Sequence, residues 1–135
     1  AAVLHVGIAG GRGVDPLAVV VGVEAVYGDL AAGVPVVSRL APDAGLLALI
    51  RGAAPGAPAL PIVTSASVGT TPGEAAVEAM EGFGVLRACA LAGVPAVEVR
   101  VISNEIGERD RSRWDVAGAL DVLAETIPAL VRALG

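Results

Sequence analysis

The chain of 135 residues has no lysine, a single cysteine, a single methionine and only 2% aromatic residues. One cysteine, Cys89, excludes an internal disulfide and suits a reducing compartment. The nine basic residues are all arginine and stand against fourteen acids. The resulting net charge of -5 excludes the basic footprint that a nucleic-acid binder needs. Long uninterrupted apolar runs are missing too, although 55% of the residues are hydrophobic. The longest charge-free stretch, Gly52 to Gly73, carries Pro55, Pro58, Pro61 and Pro72 and makes no lipid-spanning helix. Glu24, Arg87 and Glu98 interrupt the other runs well short of about 18 residues. No basic segment followed by an apolar run opens the chain, so no signal peptide is read there. The expectation is a soluble, cytoplasmic protein that engages neither nucleic acid nor membrane.

What the chain has instead is small residues: 27 alanines and 18 glycines, a third of its length. Its size allows one compact domain, residues 1–135, and its apolar content excludes a disordered chain. It opens on Ala1-Ala2-Val3-Leu4, a strand already under way, and its one methionine is Met80. From this the N-terminal part is expected to be missing, or segments to be left out.

Ala2 to Ile8 is an apolar run that empties into Ala9-Gly10-Gly11-Arg12-Gly13, as a buried parallel strand does. Leu17 to Val23 is a second strand, extendable to Tyr27, and Leu60 to Ser67 a third, closing at Gly69-Thr70-Thr71-Pro72-Gly73. Ala44 to Arg51 reads as a short helix with Asp43 as N-cap. Met80 to Ala92 reads as a helix packed closely through Gly82, Gly84, Ala88 and Ala92, with Gly93 and Pro95 ending it. Pro95 to Ile102 is a fourth strand, with Val97, Val99 and Val101 on one face and Glu98, Arg100 and Ile102 on the other. Val116, Leu120, Leu123, Ile127, Val131 and Leu134 form the apolar stripe of a helix over Ser112 to Leu134. Ser112 and Asp115 there resemble a weak capping box, and Pro128 should kink the helix. Strands alternating with helices predict an α/β fold with a largely parallel sheet, whose ligands bind at the carboxyl ends of strands.

Most polar residues read as structural. His5 lies in an apolar strand and reads as a satisfied structural histidine; Cys89 reads as a small core residue. No spacing of His, Cys, Asp or Glu marks a metal site, and the first glycine turn is no dinucleotide fingerprint. The cluster Glu105, Glu108, Arg109, Asp110, Arg111 and Arg113 reads by itself as a solvated loop. Glu81 and Asn104 resist that treatment. Glu81 is a carboxylate opening an apolar helix, so it lies near the surface or in a site that uses it. Asn104 ends a core strand, where a carboxamide can face the edge of a polar heterocycle.

Val77-Glu78-Ala79-Met80-Glu81-Gly82-Phe83-Gly84, then Gly93-Val94-Pro95, then Val99-Arg100-Val101-Ile102-Ser103-Asn104 resembles the nucleoside phosphorylase/nucleosidase superfamily. The opening Gly7-Ile8-Ala9-Gly10-Gly11 is similar to its Gly-x-Ala-Gly-Gly turn. With the run Arg109-Asp110-Arg111-Ser112-Arg113-Trp114, the pattern looks most like the futalosine hydrolases. The resemblance implies a three-layer α/β/α sandwich around a mixed, largely parallel sheet. It also implies hydrolysis of a purine nucleoside with release of hypoxanthine in menaquinone biosynthesis, no cofactor, and a homo-oligomer. It makes Glu81 and Asn104 the catalytic residues. Met80 would pack against the sugar, Ala9, Gly10 and Val68 would line the purine slot, and Ala79 and Ser103 complete the substrate-binding set.

The chain departs from the superfamily's pattern where its adenosine-type nucleosidases carry Asp in place of Asn104, and in lacking the acidic loop that orients the attacking water. A phosphorylase, a methylthioadenosine-type nucleosidase and a non-catalytic purine-binding fragment are the alternatives. Four strands are too few to shield the apolar faces of both helices and the Leu17 to Val23 run, and loss of the N-terminal part predicts an uncovered sheet edge and apolar surface.

Overall fold

The computed structural model describes residues 1–30, 35–68 and 74–135. Among them lie strands β1 Val3–Gly11, β2 Val19–Tyr27, β3 Arg39–Leu40, β4 Ala59–Thr64, β5 Val77–Ala79 and β6 Ala96–Glu105. Helices α1 Ala44–Ala53 and α2 Gly82–Ala92 precede β4 and β6 respectively. A 3-10 turn at Arg111–Arg113 leads into α3, Val116–Ala133. The turn expected at Gly69 to Gly73 lies outside the described residues.

The strands make one mixed sheet in the order β3-β2-β4-β5-β1-β6. Its two longest ladders are parallel: β1 with β6, from Val3↔Ala96 to Gly11↔Glu105, and β2 with β4. The short β3 and β5 supply antiparallel pairs to β2 and β1. The largely parallel mixed sheet is therefore as expected. β2 also pairs antiparallel with β6 through Val19↔Val101, Val20↔Arg100 and Val21↔Val99, so β2, β4, β5, β1 and β6 close into a ring. Closure requires sharp bending, and the ladders shift register between Gly22 and Glu24 and between Ala9 and Gly10. Gly22 belongs at the first bend, because a Cβ there would lie 3.0 Å from Ile62 Cδ1 and 3.3 Å from the Glu98 carbonyl oxygen. Among the described residues only the two-residue β3 ends the sheet.

Period-two alternation in β6 sorts the layers. Val97 and Val99 are fully buried against Ile50 of α1 and Leu130 of α3, and Val101 against Ala119 and Leu123 of α3. On the opposite face, Ala96 packs with Leu86 of α2 and Ala25 of β2. Ala9, Val20, Ile62, Val77, Ala79 and Ile102 come from all five strands of the ring and cluster with one another inside it. The three-layer arrangement follows: α1 and α3 on one side of the sheet, α2 on the other.

The helices differ from the sequence expectation in three respects. Helix α2 starts at Gly82 and not Met80. Of Gly82, Gly84, Ala88 and Ala92 only Gly82 is buried, while the other three face outward. Helix α3 starts later than Ser112. Asp43 caps α1 as read, accepting from the Leu46 amide, and Gly93 closes α2 in the left-handed region at φ 66°. The Ser112–Asp115 box is not formed. Asp115 itself is the N-cap of α3, accepting from Gly118 N, while Ser112 sits in the preceding turn and donates to Asp110. Asp110 and Asp115 are the better acceptors for exposed backbone donors, so the helix starts three residues later. Pro128 lies within α3. No helix of the described residues is long and apolar enough to cross a membrane.

Candidate active site

At the carboxyl end of β1 and β6, Ala9 is level with Ile102, and the next residue, Gly10, is level with Asn104. Ser103 is the extra residue of a bulge. In a regular strand Asn104 would share the face of Ile102 and point into the core; the bulge turns the carboxamide to the opposite face. Ser103 Oγ, buried, lies 2.8 Å from Asn104 Oδ1 as a donor, with the Ala9 carbonyl at 3.3 Å as a second acceptor. Asn104 Nδ2 donates to the Glu105 carbonyl at 3.0 Å, which leaves its second N–H as the donor to offer. The backbone after the bulge is held by Asp115 N donating to Ser103 O. Trp114 is held in turn, through Nε1 donating to the Glu108 carbonyl, with the Arg111 guanidinium over its ring.

Glu81 occupies the N-cap position of α2, and its carboxylate lies 3.0 Å from Arg100 Nη2. The guanidinium is the hub of a buried charge cluster. Arg100 Nε donates to Glu98 Oε1 at 2.7 Å, Nη1 to the Ile8 carbonyl, and Nη2 lies 2.6 Å from His5 Nε2. Glu98 is 1% exposed, and its carboxyl rests against the first residue of α2, where any Cβ on Gly82 would collide with it. Burial pushes the Glu98 carboxyl above the ordinary carboxylate range, against the opposing pull of Arg100. Burial, and after it the Arg100 charge, holds His5 below the ordinary histidine value. A neutral imidazole accepting from Arg100 satisfies the short contact, so the 4.0 Å approach of His5 to Glu98 is no ion pair at neutral pH. His5 is structural, as read, and part of the support of the site.

These elements enclose a pocket of about 170 Å³. Ala9, Gly10, Val68, Ala79, Met80, Glu81, Ser103 and Asn104, the eight residues named from the sequence, all line it. Ile8, Glu78 and Trp114 line it as well and were not singled out. Glu78 stood within the sequence motif, and its signal was a carboxylate between Val77 and Ala79 of a buried strand. Arg100 stood in the alternation of β6, a charge facing the same side as another charge in a core strand.

No family model matches the chain. Among curated proteins it is 39% identical over 98 residues to a futalosine hydrolase of Streptomyces coelicolor, a match covering 64% of this chain and 42% of that protein. It is 52% identical over 56 residues to one of Acidothermus cellulolyticus, covering 42% of this chain and 23% of that protein. The chain thus matches less than half the length of these relatives. Of solved structures, the futalosine hydrolase mutant of Helicobacter pylori superposes with a TM-score of 0.87 at 20% identity, over 97% of this chain and 68% of that one. An MTA/SAH nucleosidase from Colwellia psychrerythraea, in complex with adenine, gives 0.86 at 19% identity, over 98% of this chain and 67% of that one. The fold is theirs.

Proposed function

We propose that the chain is the base- and sugar-holding part of a futalosine hydrolase, a purine nucleosidase that cleaves the N-ribosyl bond of futalosine and releases hypoxanthine toward menaquinone biosynthesis. The observation that carries this is the meeting, in one pocket, of a carboxylate held by a buried arginine and a carboxamide turned outward by a strand bulge. The curated relatives' names supply the substrate.

Cleavage passes through a cation-like ribosyl group. The bonding pair leaves with the purine, and water adds its oxygen to the sugar carbon that loses it. The proton that water gives up ends on the purine through solvent, so that neutral hypoxanthine is released. Glu81, beneath the sugar, holds its hydroxyls and opposes the developing positive charge, an interaction that strengthens toward the transition state. Asn104 donates to N7 or O6 of the 6-oxopurine as negative charge builds there. It disperses that charge without delivering a proton, unlike a carboxylic acid at the same place. Met80, half exposed at the pocket mouth, packs against the sugar, and the backbone at Ala9 and Gly10 floors the purine slot beside Val68.

The protein is also proposed to be a cytoplasmic homo-oligomer. Its lone cysteine and the outward apolar side chains of Leu120 and Val131 on α3 support this. The test of function is hypoxanthine release from futalosine by the protein carrying this chain, with and without inorganic phosphate. Release independent of phosphate is expected. Phosphate-dependent release would make it a phosphorylase, and release of adenine alone from methylthioadenosine would make it an adenosine-type nucleosidase.

A further inference from the structure

We infer that Glu78 reads the N1–H of the 6-oxopurine and, with Asn104, sets the preference of the pocket for that base over a 6-aminopurine; this rests on the function proposed above. The ladders place the residues. Gly10 of β1 is the Cα partner of Glu78 on β5 and of Asn104 on β6. Directly opposed residues share a face, so Glu78, Gly10 and Asn104 form one row across three adjacent strands, pointing the same way. Val77 and Ala79, the neighbours of Glu78, belong to the core cluster inside the ring, which puts the Glu78 side chain on the other face with Asn104.

The middle of that row has no side chain. A Cβ on Gly10 would sit 3.2 Å from Asn104 Nδ2 and 3.2 Å from Ile106 Cγ1, so the gap between the two polar groups is kept open by glycine. Two strand spacings, about 10 Å between Cα atoms, separate a donor on one side from an acceptor on the other. Both groups line the pocket, and Glu78 is only 6% exposed.

The chemistry fits one class of base. A 6-oxopurine presents acceptors at O6 and N7 and, next to O6, a donor at N1. A carboxamide N–H meets the acceptors; a carboxylate, which only accepts, meets the N1–H. A 6-aminopurine has a bare acceptor at N1, which a carboxylate facing it repels. A carboxylate has about four lone-pair positions, so its contacts within the protein are compatible with one to the base. Asn104 alone discriminates weakly, because an amide also pairs with the N6/N7 edge of adenine. Glu78 supplies the missing selectivity: a site built for a donor rejects the analogue lacking it.

The test is calorimetric binding of free hypoxanthine, 1-methylhypoxanthine and adenine to the protein carrying this chain and to its Glu78→Gln variant. Wild-type protein is expected to bind hypoxanthine about tenfold or more tighter than 1-methylhypoxanthine, which has no N1–H. Equal affinity for the two overturns the role of Glu78, needs no variant to fold, and leaves the pocket standing as a purine site. Glu78→Gln keeps the shape but adds a donor that suits the N1 of adenine. It is expected to reduce the preference for hypoxanthine over adenine about tenfold, and an unchanged ratio in folded variant overturns the inference. Binding of none of the three bases by wild-type protein overturns the proposed function, and this inference with it.

Discussion

The three helices begin on acids that are put to different uses. At α1 and α3 the acid serves the helix: Asp43 accepts from Leu46 N and Asp115 from Gly118 N, each at 2.9 Å. At α2 the acid is Glu81, with no side-chain cap bond, and its carboxylate goes to Arg100 instead. The orphan donor of that first turn is met from outside the helix, by Thr64 Oγ1 of β4 accepting from Phe83 N at 2.8 Å. An acid at a helix start is thus either spent locally or kept for the pocket. Where it is kept, another element supplies the cap.

The largest effect that bears on this contrast is expected at Arg100. Arg100→Met leaves Glu98 buried without its cationic partner, and unfolding by urea should show a loss of about 3 kcal/mol or more. A loss near zero would mean that the start of α2 does not depend on the buried pair. Next comes Glu81→Gln, for which kcat should fall about a hundredfold, roughly 3 kcal/mol of transition-state stabilisation, with KM little moved. Its stability should change by less than about 0.5 kcal/mol, because no cap is lost. A stability loss with normal kcat would return Glu81 to the role of its counterparts. Asp115→Ala is the converse: about 1 kcal/mol less stable in the same urea titration, with hypoxanthine binding retained.

The smallest effect is a slope. Because the folded value of His5 lies below its ordinary 6.5, the unfolded chain takes up that proton first as pH falls. The stability His5 contributes is full above 6.5 and lost as pH falls through its folded value. Glu98 works in the opposite sense: its raised folded value gives stability that is full below the ordinary carboxylate value and lost as pH rises through the folded one. Comparing wild type with His5→Asn isolates the first, since Glu98 is common to both. Between pH 7.5 and 5.5 the urea midpoint of wild type should fall relative to that of the variant. Parallel slopes would remove His5 from the charge cluster.

What could be read in the sequence follows from which interactions are local. The Asp43 cap, the Gly93 terminus and the alternation of β6 are set by neighbours in the chain, and each was legible. So were the eight pocket residues, because the motif keeps Met80 and Glu81 adjacent and Ser103 and Asn104 adjacent. The α3 stripe was half right, since Leu123, Ile127 and Leu134 face the core while Val116, Leu120 and Val131 are exposed and Ala119 and Leu130 are buried instead. β3 and β5 were missed, being too short at two and three residues to show a period. The ring was missed because its closure depends on register between distant strands. The same holds for Glu78: only pairing through Gly10 shows that it shares a row with Asn104. The bulge at Ser103 has no local mark either, since Ile102-Ser103-Asn104 reads as regular strand.

The parallel pairing of β1 with β6 has a consequence for the order of folding. Ser103 and Ala9 meet across the pocket from 94 positions apart, and Val21 meets Val99 to close the ring. Such contacts repay the entropy of closing long loops only late, when most of the chain is already ordered. The pocket therefore has no precursor in any local segment: α2 or α3 can form early, but a place for a base arises only with the last strand pairings. The base binding proposed for this pocket needs the completed sheet, so a purine bound there would stabilise the ring as a whole against unfolding.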